Sequence, residues 1–179
     1  MVYSNYNIKV MFGGIDMSII KLDHQHHNQL KNLIATIKKD IDPNKLIIIP
    51  QDQIETIFNN NTTIIYGVVE QNNLLAMSGL FWDESDYLDI KRILNIQNSK
   101  VAEIAECLVL PNARGNNYML KLNQCLLEEA KKLGFEYVIA TAHPQNYASH
   151  KSLIKLGMTT NKQFNRYDKY LRNIYYIKL

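Results

Sequence analysis

The sequence predicts an α/β protein built on one mixed β-sheet with helices on its faces. Strand-like apolar runs alternate with amphipathic helical patterns over the second half of the chain, and two apolar runs split by a turn form an apparent β-hairpin in the middle. The chain has 179 residues, 46% of them hydrophobic, which is enough for one sizeable core. No internal repeat or linker divides it, so we expect residues 1–179 to form a single domain.

The composition excludes several classes of protein. The net charge is only +3 and no block of like charges indicates a nucleic-acid or membrane-surface partner. The longest apolar runs, such as "LIII" at 46–49, are too short to cross a bilayer, and the N-terminus does not resemble a signal peptide. The two cysteines, Cys107 and Cys125, fit buried thiols in a reducing compartment. We therefore expect a cytoplasmic protein with no nucleic-acid or membrane partner.

The N-terminal part predicts one strand and two helices. "YNIKVMF" at 6–12 alternates weakly, as a strand does. A first helix is expected between Asp23, its N-cap, and the "DPN" turn at 42–44. Its apolar residues recur at helical spacing: Leu30, Leu33, Ile34, Ile37 and Ile41. A shorter helix is expected over 51–58 with Asp52 as its cap.

The middle of the chain predicts the hairpin and a further strand. "TIIYGVVE" and "LLAMSGLFW" within 63–82 are separated by "QNN", which favours a hairpin. Residues 83–100 are mixed, and "YLDIKRIL" fits either a short helix or an irregular excursion. "VAEIAECLVL" at 101–110 is a third strong strand.

The C-terminal part predicts a helix, a strand, a helix and two strands. The first helix ends at Gly134, and "EYVIATA" at 136–142 follows as a strand. The second helix runs from Asn146 to Gly157, and β-like stretches follow near 158–167 and at 173–179. The apolar stripe of the first helix consists of Met119, Leu122, Leu126, Ala130 and Leu133.

The joint between a strand and a helix, "LPNARGNNYMLKL" at 110–122, has the composition of an anion site. The first amides of a helix have no intrahelical acceptor and carry partial positive charge, which suits a phosphate group. Arg114 adds a planar cation, and Gly115 permits close approach of the backbone. This favours a ligand with a diphosphate, and the alternative is an asparagine-capped helix with a surface arginine.

The wider segment 105–158 resembles the GCN5-related N-acetyltransferase (GNAT) superfamily. The similar features are the strand ending "LVLP", the "RG" loop, the helix ending "EEAKKLG", the strand "YVIATAHPQN" and the helix ending "SLIKLGM". The resemblance implies an acyl-CoA N-acyltransferase fold, a mostly antiparallel central sheet with helices on both faces. It makes 101–158 the acetyl-CoA-binding core, while 1–100 holds the N-terminal helices, the hairpin and an acceptor-side segment, and 159–179 the C-terminal strands. The acceptor is expected between the two N-terminal helices, the 83–100 segment and these strands.

The resemblance also implies the cofactor contacts. The pyrophosphate is expected on the loop amides, and the pantetheine arm is expected to pair with one strand and to meet the start of the last helix. The implied residues are Leu108, Val109, Leu110, Arg114, Gly115, Asn116, Asn117, Tyr118, Met119, Asn146 and Ser149. Asn146 and Ser149 also fit helix N-capping. The sequence departs from the family pattern at Asn117 and Met119, where small residues are usual, and we expect the Met119 side chain to point away from the ligand.

Acetyl transfer to an amine needs a base, a donor to the thioester oxygen and a proton for the leaving thiolate. The amide of Val109 or Leu110 is the expected oxygen donor. Glu103 and Glu106 are the candidate bases, and strand alternation puts them on opposite faces unless a bulge intervenes. The resemblance favours Glu103, which lies six residues before Val109, and the alternative is that both are solvent-facing or paired charges.

The proton donor is less clear in the sequence. Leu153 occupies the position where many family members have a tyrosine. Tyr147 and Tyr118 are the nearest candidates, and both also fit a packing role. His143 fits a turn or a substrate contact, and Tyr167 and Tyr170 are candidates for an acceptor groove. His24 and His27 are spaced for metal binding on a helix but lack a third ligand, so no metal is expected.

The sequence therefore predicts an acetyl-CoA-dependent N-acetyltransferase that acts by direct transfer in a ternary complex. Acetyl-CoA is the cosubstrate. The acceptor remains open among small amines, amino acid derivatives, peptide N-termini and lysines. Family members often dimerise, so a homodimer remains open. The alternative is a non-catalytic acyl-CoA-binding sensor or regulatory protein with the same fold.

Overall fold

A computed structural model describes residues 8–12, 15–39, 41–50 and 53–179. Asp52, expected to cap a helix, lies outside this part of the chain, as do residues 6 and 7 of the expected first strand. The described residues form one eight-stranded sheet in the order β1-β2-β3-β4-β5-β6-β8-β7. Its strands are β1 (Ile8–Phe12), β2 (Ile15–Lys21), β3 (Thr63–Glu70), β4 (Asn73–Phe81), β5 (Val101–Val109), β6 (Tyr137–Ala142), β7 (Thr159–Arg166) and β8 (Tyr170–Lys178).

The sheet is mostly antiparallel, as predicted. In the described part of the chain, only β5 and β6 run parallel. The predicted hairpin is β3–β4, and its turn residues Gln71 and Asn72 have φ of 45° and 65°. Such left-handed pairs match the twist of two-residue hairpins. Strand β2, which pairs with β3, was not predicted, because "IDMSIIK" mixes polar and apolar residues without clear alternation.

Five helices lie in the described ranges: α1 (His27–Lys38), α2 (Ile54–Asn59), α3 (Leu88–Leu94), α4 (Tyr118–Lys132) and α5 (Tyr147–Lys155). Asp23 is an N-cap, as predicted, although it caps a 3₁₀ turn that leads into α1, where it accepts a hydrogen bond from the Gln25 amide at 2.9 Å. The mixed segment after the hairpin contains α3, so its helical interpretation is correct.

The helices cover both faces of the sheet. On one face, the α4 residues Leu122 and Leu126 pack in a core with Ile64 and Ile104 of the sheet. On the other face, α1 and α2 pack over a second core that includes Leu108. Alternate residues of the central strands β3, β4 and β5 therefore enter opposite cores.

The end of α4 fixes the entry into β6. The Phe135 amide donates to the Ala130 carbonyl and the Gly134 amide donates to the Lys131 carbonyl, each at 3.0 Å. This is the Schellman arrangement, and it requires the left-handed φ of 72° found at Gly134. The predicted glycine cap is thus present, and it returns the chain to the sheet beside β5.

Candidate active site

Strands β5 and β6 pair along only part of their length. Their parallel register runs from Val101 opposite Tyr137 to Ile104 opposite Ala140 and then stops. Beyond this point β5 stays paired with β4, as far as Val109 opposite Ala76. The two strands therefore part in the middle of the sheet, and one edge of β5 faces a gap.

Two connected hollows open at this gap. The larger, here called the cleft, has a volume of about 790 Å³, and the smaller, here called the side cavity, has about 120 Å³. Six residues line both hollows: Lys45, Leu46, Cys107, Met119, Asn146 and Ser149. The two hollows are therefore neighbours that share part of their walls.

The cleft gathers most of the residues predicted to hold a cofactor. Of the eleven predicted positions, all but Leu110 line it, including the whole Arg114–Met119 loop. Its wall carries Arg114 and three lysines against one carboxylate, Asp42; the lysines are Lys45, Lys151 and Lys155. The cleft is thus electropositive and large enough for a nucleotide-sized ligand.

The loop before α4 presents backbone amides to the cleft. Gly115 and Asn117 have φ of 88° and 58°, so the chain turns through two left-handed positions before the helix begins. The first bond across the joint runs from the Lys121 amide to the Asn117 carbonyl at 3.1 Å. The amides of Tyr118 and Met119 therefore have no intrahelical acceptor, which is the arrangement that binds phosphate.

The two candidate oxygen donors on β5 are not equivalent. The Leu110 amide donates to the Leu75 carbonyl at 2.9 Å and is therefore already used. Because successive amides of a strand point in opposite directions, the Val109 amide faces the gap instead. Val109 is the donor that the geometry leaves available.

A β-bulge brings Glu103 and Glu106 to the same side of β5. Met77 pairs with Leu108 and Gly79 pairs with Ala105, so β5 carries one residue more than β4 between these pairs. Glu106 lies in this bulge with φ of 52°. Both carboxylates line the side cavity, which is the outcome the sequence analysis made conditional on a bulge.

Glu106 has the environment of a group that changes protonation near neutral pH. Its carboxylate accepts a hydrogen bond from the Ile49 amide at 3.3 Å. Burial raises the pKa of Glu106 to about 7, and the nearby charge of Glu103 adds to this, whereas the Ile49 amide and Arg166 oppose it.

Glu103 has a different environment. It is only 3% exposed, and Arg166 binds it with both terminal nitrogens, Nη2 at 2.8 Å from Oε2. Arg166 also donates to Thr141 Oγ1 at 2.9 Å. Burial favours the neutral form of Arg166, but the charge and hydrogen bonds of Glu103, together with Tyr167, outweigh it and the pKa of Arg166 is raised. Glu103 is thus the partner of a buried cation.

Cys107 belongs to a small polar cluster beneath the bulge. The Ser78 hydroxyl lies 2.7 Å from Asn123 Oδ1 and 2.9 Å from the Cys107 sulfur. Burial raises the pKa of the Cys107 thiol to about 11. Both cysteines are free thiols, and Cys107 is poorly suited to act as a nucleophile although it lines both hollows.

The tyrosines predicted from the sequence lie in different places. Tyr118 is buried and Tyr147 is 75% exposed, and both line the cleft. Tyr167 lines the side cavity and is 59% exposed. Tyr170 contacts the Arg172 guanidinium, 5.4 Å from the ring centre. Leu153, at the usual tyrosine position, is buried in the wall of the side cavity.

Asn146 and His143 lie at and just before the start of α5. The Asn146 side chain accepts from the Ser149 amide at 3.1 Å, so Asn146 caps α5. His143 lies in the turn before it, where its Nδ1 accepts from the Gln145 amide. Within the described ranges, no group of three or more potential metal ligands lies together, and none of the described helices is long and apolar enough to span a membrane.

Sequence reasoning missed Thr141, Arg166 and Arg172, all of which line the side cavity. One signal was present for Arg172. It alternates in phase with Ile174, which is buried in a core on the sheet, so an inward-facing arginine follows from strand periodicity. Arg166 gave no such signal, because it ends β7 and meets Glu103 through tertiary packing alone.

Comparison with known proteins settles the family. The sequence profile described as the Acetyltransferase (GNAT) family matches residues 29–158. The chain belongs to this family. The match includes the cleft loop, the bulge and both parting strands, so the GNAT resemblance predicted from the sequence is confirmed. Among curated protein sequences none matches the chain.

Solved structures share the GNAT fold at low sequence identity. The GNAT domain of S. lividans PAT has a TM-score of 0.75 at 12% identity, covering 100% of both chains. An N-acetyltransferase from Staphylococcus aureus has a TM-score of 0.68 at 16% sequence identity, and the match covers 90% of this chain and 97% of the other. RimL, a ribosomal L7/L12 α-N-protein acetyltransferase in complex with coenzyme A, has a TM-score of 0.68 at 15% sequence identity. The match covers 91% of this chain and 94% of RimL.

Proposed function

We propose that the protein is an N-acetyltransferase that uses acetyl-CoA to acetylate a primary amine by direct transfer. The observation that carries this proposal is the gap between β5 and β6, where the Val109 amide adjoins the cleft and Glu106 lines the side cavity, two hollows that share part of their lining. Membership of the GNAT family supports the reaction class. We further propose that the protein works in the cytoplasm as a single domain.

The cleft fits the cofactor. The amides of the 114–119 loop and the N-terminal turn of α4 would hold the pyrophosphate, with Arg114 beside them. The free edge of β5 would pair with the amide groups of the pantetheine arm, as an added strand does. Asn146 and Ser149 face this arm from the start of α5.

In the chemical step, Glu106 is the proposed base. The acceptor enters as an ammonium ion, and Glu106 takes its proton, so the amine nitrogen becomes free to attack. The Val109 amide donates to the thioester oxygen as charge develops there. Acetyl-CoA supplies the acetyl group, whose bond to sulfur breaks after the bond to nitrogen forms. The nitrogen then loses its second proton, which balances the proton that the leaving thiolate must gain.

Glu106 is a better base than Glu103 for a physical reason. A base is most efficient when its pKa lies near the working pH, and the pKa of Glu106 is about 7. Glu103 is engaged by both terminal nitrogens of Arg166 and would have to break that pair to accept a proton. We assign Glu103 the role of holding Arg166 in place.

The leaving thiolate also requires a proton. Leu153 cannot supply one, so the proposed donors are Tyr147 and Tyr118, which line the cleft, with water as the third source. Replacing each tyrosine with phenylalanine and comparing kcat distinguishes them. Only the substitution that removes the proton donor should lower kcat without weakening acetyl-CoA binding.

Cofactor binding is tested by thermal unfolding with acetyl-CoA, using ATP and NAD as diphosphate controls. A ligand at about a hundredfold its Kd stabilises the folded state by about 2.7 kcal/mol. We expect Gly115→Ala to reduce this shift and Gly134→Ala to leave it unchanged. Both glycines have positive φ and open space around an added Cβ, so each substitution strains the backbone similarly, by about 1 kcal/mol, but only Gly115 lines the cleft.

Turnover is tested by release of free thiol from acetyl-CoA in the presence of a panel of amines. We expect release with at least one amine, and its loss in Glu106→Gln with acetyl-CoA binding retained. Binding of acetyl-CoA without turnover of any amine would contradict the transferase proposal. Failure to bind acetyl-CoA would contradict the assignment of the cleft as well.

A further inference from the structure

The side cavity contains a buried cation that none of the described acidic side chains neutralises. Arg172 is 3% exposed and lines this cavity. Among the side chains that the structure describes, it forms no ion pair, unlike Arg166, which binds Glu103. Its Nη2 is buried without a hydrogen-bond acceptor. Buried charges in proteins are normally paired, so this arginine lacks a partner that a ligand can supply.

The contacts that Arg172 does make hold the side chain in place without adding negative charge. Its Nη1 donates to the Leu171 carbonyl at 2.8 Å, and the guanidinium lies 5.4 Å from the centre of the Tyr170 ring. Burial lowers the pKa of Arg172, and the neighbouring Arg166 lowers it further, whereas Tyr170 opposes them. The guanidinium is therefore fixed and retains donors for a planar anion.

The charges of the side cavity are arranged in two parts. Glu106, the proposed base, lies in the β5 bulge and Arg172 lies on β8, and both line the cavity, as do Lys45 and the Glu103–Arg166 pair. An amine acceptor must bring its nitrogen to Glu106. The volume of about 120 Å³ admits only a few groups, since a water molecule takes about 30 Å³ in the liquid. A second polar group close to that nitrogen therefore lies in the same small cavity that Arg172 lines.

We propose that the acceptor is a small primary amine that carries a carboxylate, and that Arg172 binds this carboxylate while the amine faces Glu106. Amino acids and short peptides with a nearby carboxylate belong to this class. The inference rests on the proposed transferase function for the role of Glu106, but binding of the carboxylate by Arg172 requires no turnover. A fork of guanidinium N–H donors matches a carboxylate in geometry and charge.

The test compares acids with their own amides. A panel of amino acids, β-alanine and dipeptides is titrated into the wild-type protein saturated with CoA. Each acid is compared with its own amide, in which the carboxylate is replaced by an uncharged carboxamide. Calorimetry or thermal unfolding measures the affinity. We expect at least one acid to bind about tenfold or more tightly than its amide, because a charge-assisted hydrogen bond is lost in the amide. Equal binding of acids and amides, or no binding of any acid at millimolar concentration, would overturn the proposal.

Three variants locate the effect. Arg172→Gln should abolish the preference for the acid, and Arg172→Lys should retain part of it because the charge remains. Arg92→Gln removes the same charge from a site that is 67% exposed and should leave the preference unchanged. If Arg172→Gln does not fold, Arg172→Lys still tests the proposal. An undiminished preference for the acid in Arg172→Lys would exclude a bidentate contact between the carboxylate and Arg172.

The outcome can be separated from that of the transferase proposal. Thiol release with amides as fast as with acids would overturn the carboxylate inference and leave the transferase intact. Preferential binding of acids without thiol release from acetyl-CoA would support the carboxylate site and contradict the transferase proposal.

Discussion

Glu106→Gln should make the stability of the protein less dependent on pH. The Glu106 carboxyl titrates near 4.5 when unperturbed and near 7 in the folded protein. Between these values the folded state binds one proton more than the unfolded state, so wild-type stability falls as pH rises through this window. Glutamine retains the shape and still accepts from the Ile49 amide, but it does not titrate.

The magnitude follows from the two pKa values. Each pH unit inside the window costs the wild type about 1.4 kcal/mol relative to the variant. Between about pH 5 and about pH 8, the stability of Glu106→Gln should therefore rise against that of the wild type by about 2 to 3 kcal/mol. Above the window the difference should stop changing.

The assay is urea unfolding of both proteins at several pH values, with the difference in the free energy of unfolding plotted against pH. Groups common to both proteins cancel in this difference. Glu128→Gln is the matched control, because Glu128 is 62% exposed and its pairing with Lys131 is a surface interaction of little energy. A difference that stays flat from acid to neutral pH would refute the perturbed carboxyl and, with it, the reason for choosing Glu106 as the base.

Two further predictions concern the groups beside it. Glu103→Gln should destabilise the protein by about 3 kcal/mol, because Arg166 is left buried without a carboxylate. The double variant with Arg166→Met should recover most of this loss. Urea unfolding measures both changes, and equal stability of Glu103→Gln and the wild type would contradict a buried pair. Cys107 should react with iodoacetamide at about pH 8 roughly a hundredfold more slowly in the folded than in the unfolded protein, because so little thiolate is present. Mass spectrometry of the Cys107 peptide measures this, and equal rates would contradict the burial of the thiol.

Local periodicity and capping predicted most of the fold. The helices α1 and α4, the β3–β4 hairpin and the helix-ending Gly134 follow from short-range signals such as apolar spacing, turn residues and caps. The cleft loop was predictable for the same reason, since a strand, a glycine and a helix start are consecutive in the chain. These features need no knowledge of distant partners.

The side cavity was only partly predictable because its parts come from distant segments. Glu103 and Glu106 were identified as candidates, but their common side depends on a bulge that only the pairing with β4 reveals. The Ile49 amide reaches Glu106 across 57 positions, and Arg166 reaches Glu103 across 63. Such contacts depend on tertiary packing, which also decides which carboxylate is paired and which is free to titrate.

The parting of β5 from β6 has a consequence for the exchange of backbone hydrogens. At Glu103 and Ile104, β5 is paired with both β4 and β6, and exchange there requires a large opening of the sheet. At Val109 only β4 remains as a pairing partner. An amide there that points into the gap therefore exchanges without breaking the hydrogen bonds between β4 and β5. Amide protection in β5 should therefore fall from Ile104 towards Val109, and a ligand that pairs with the free edge would restore it.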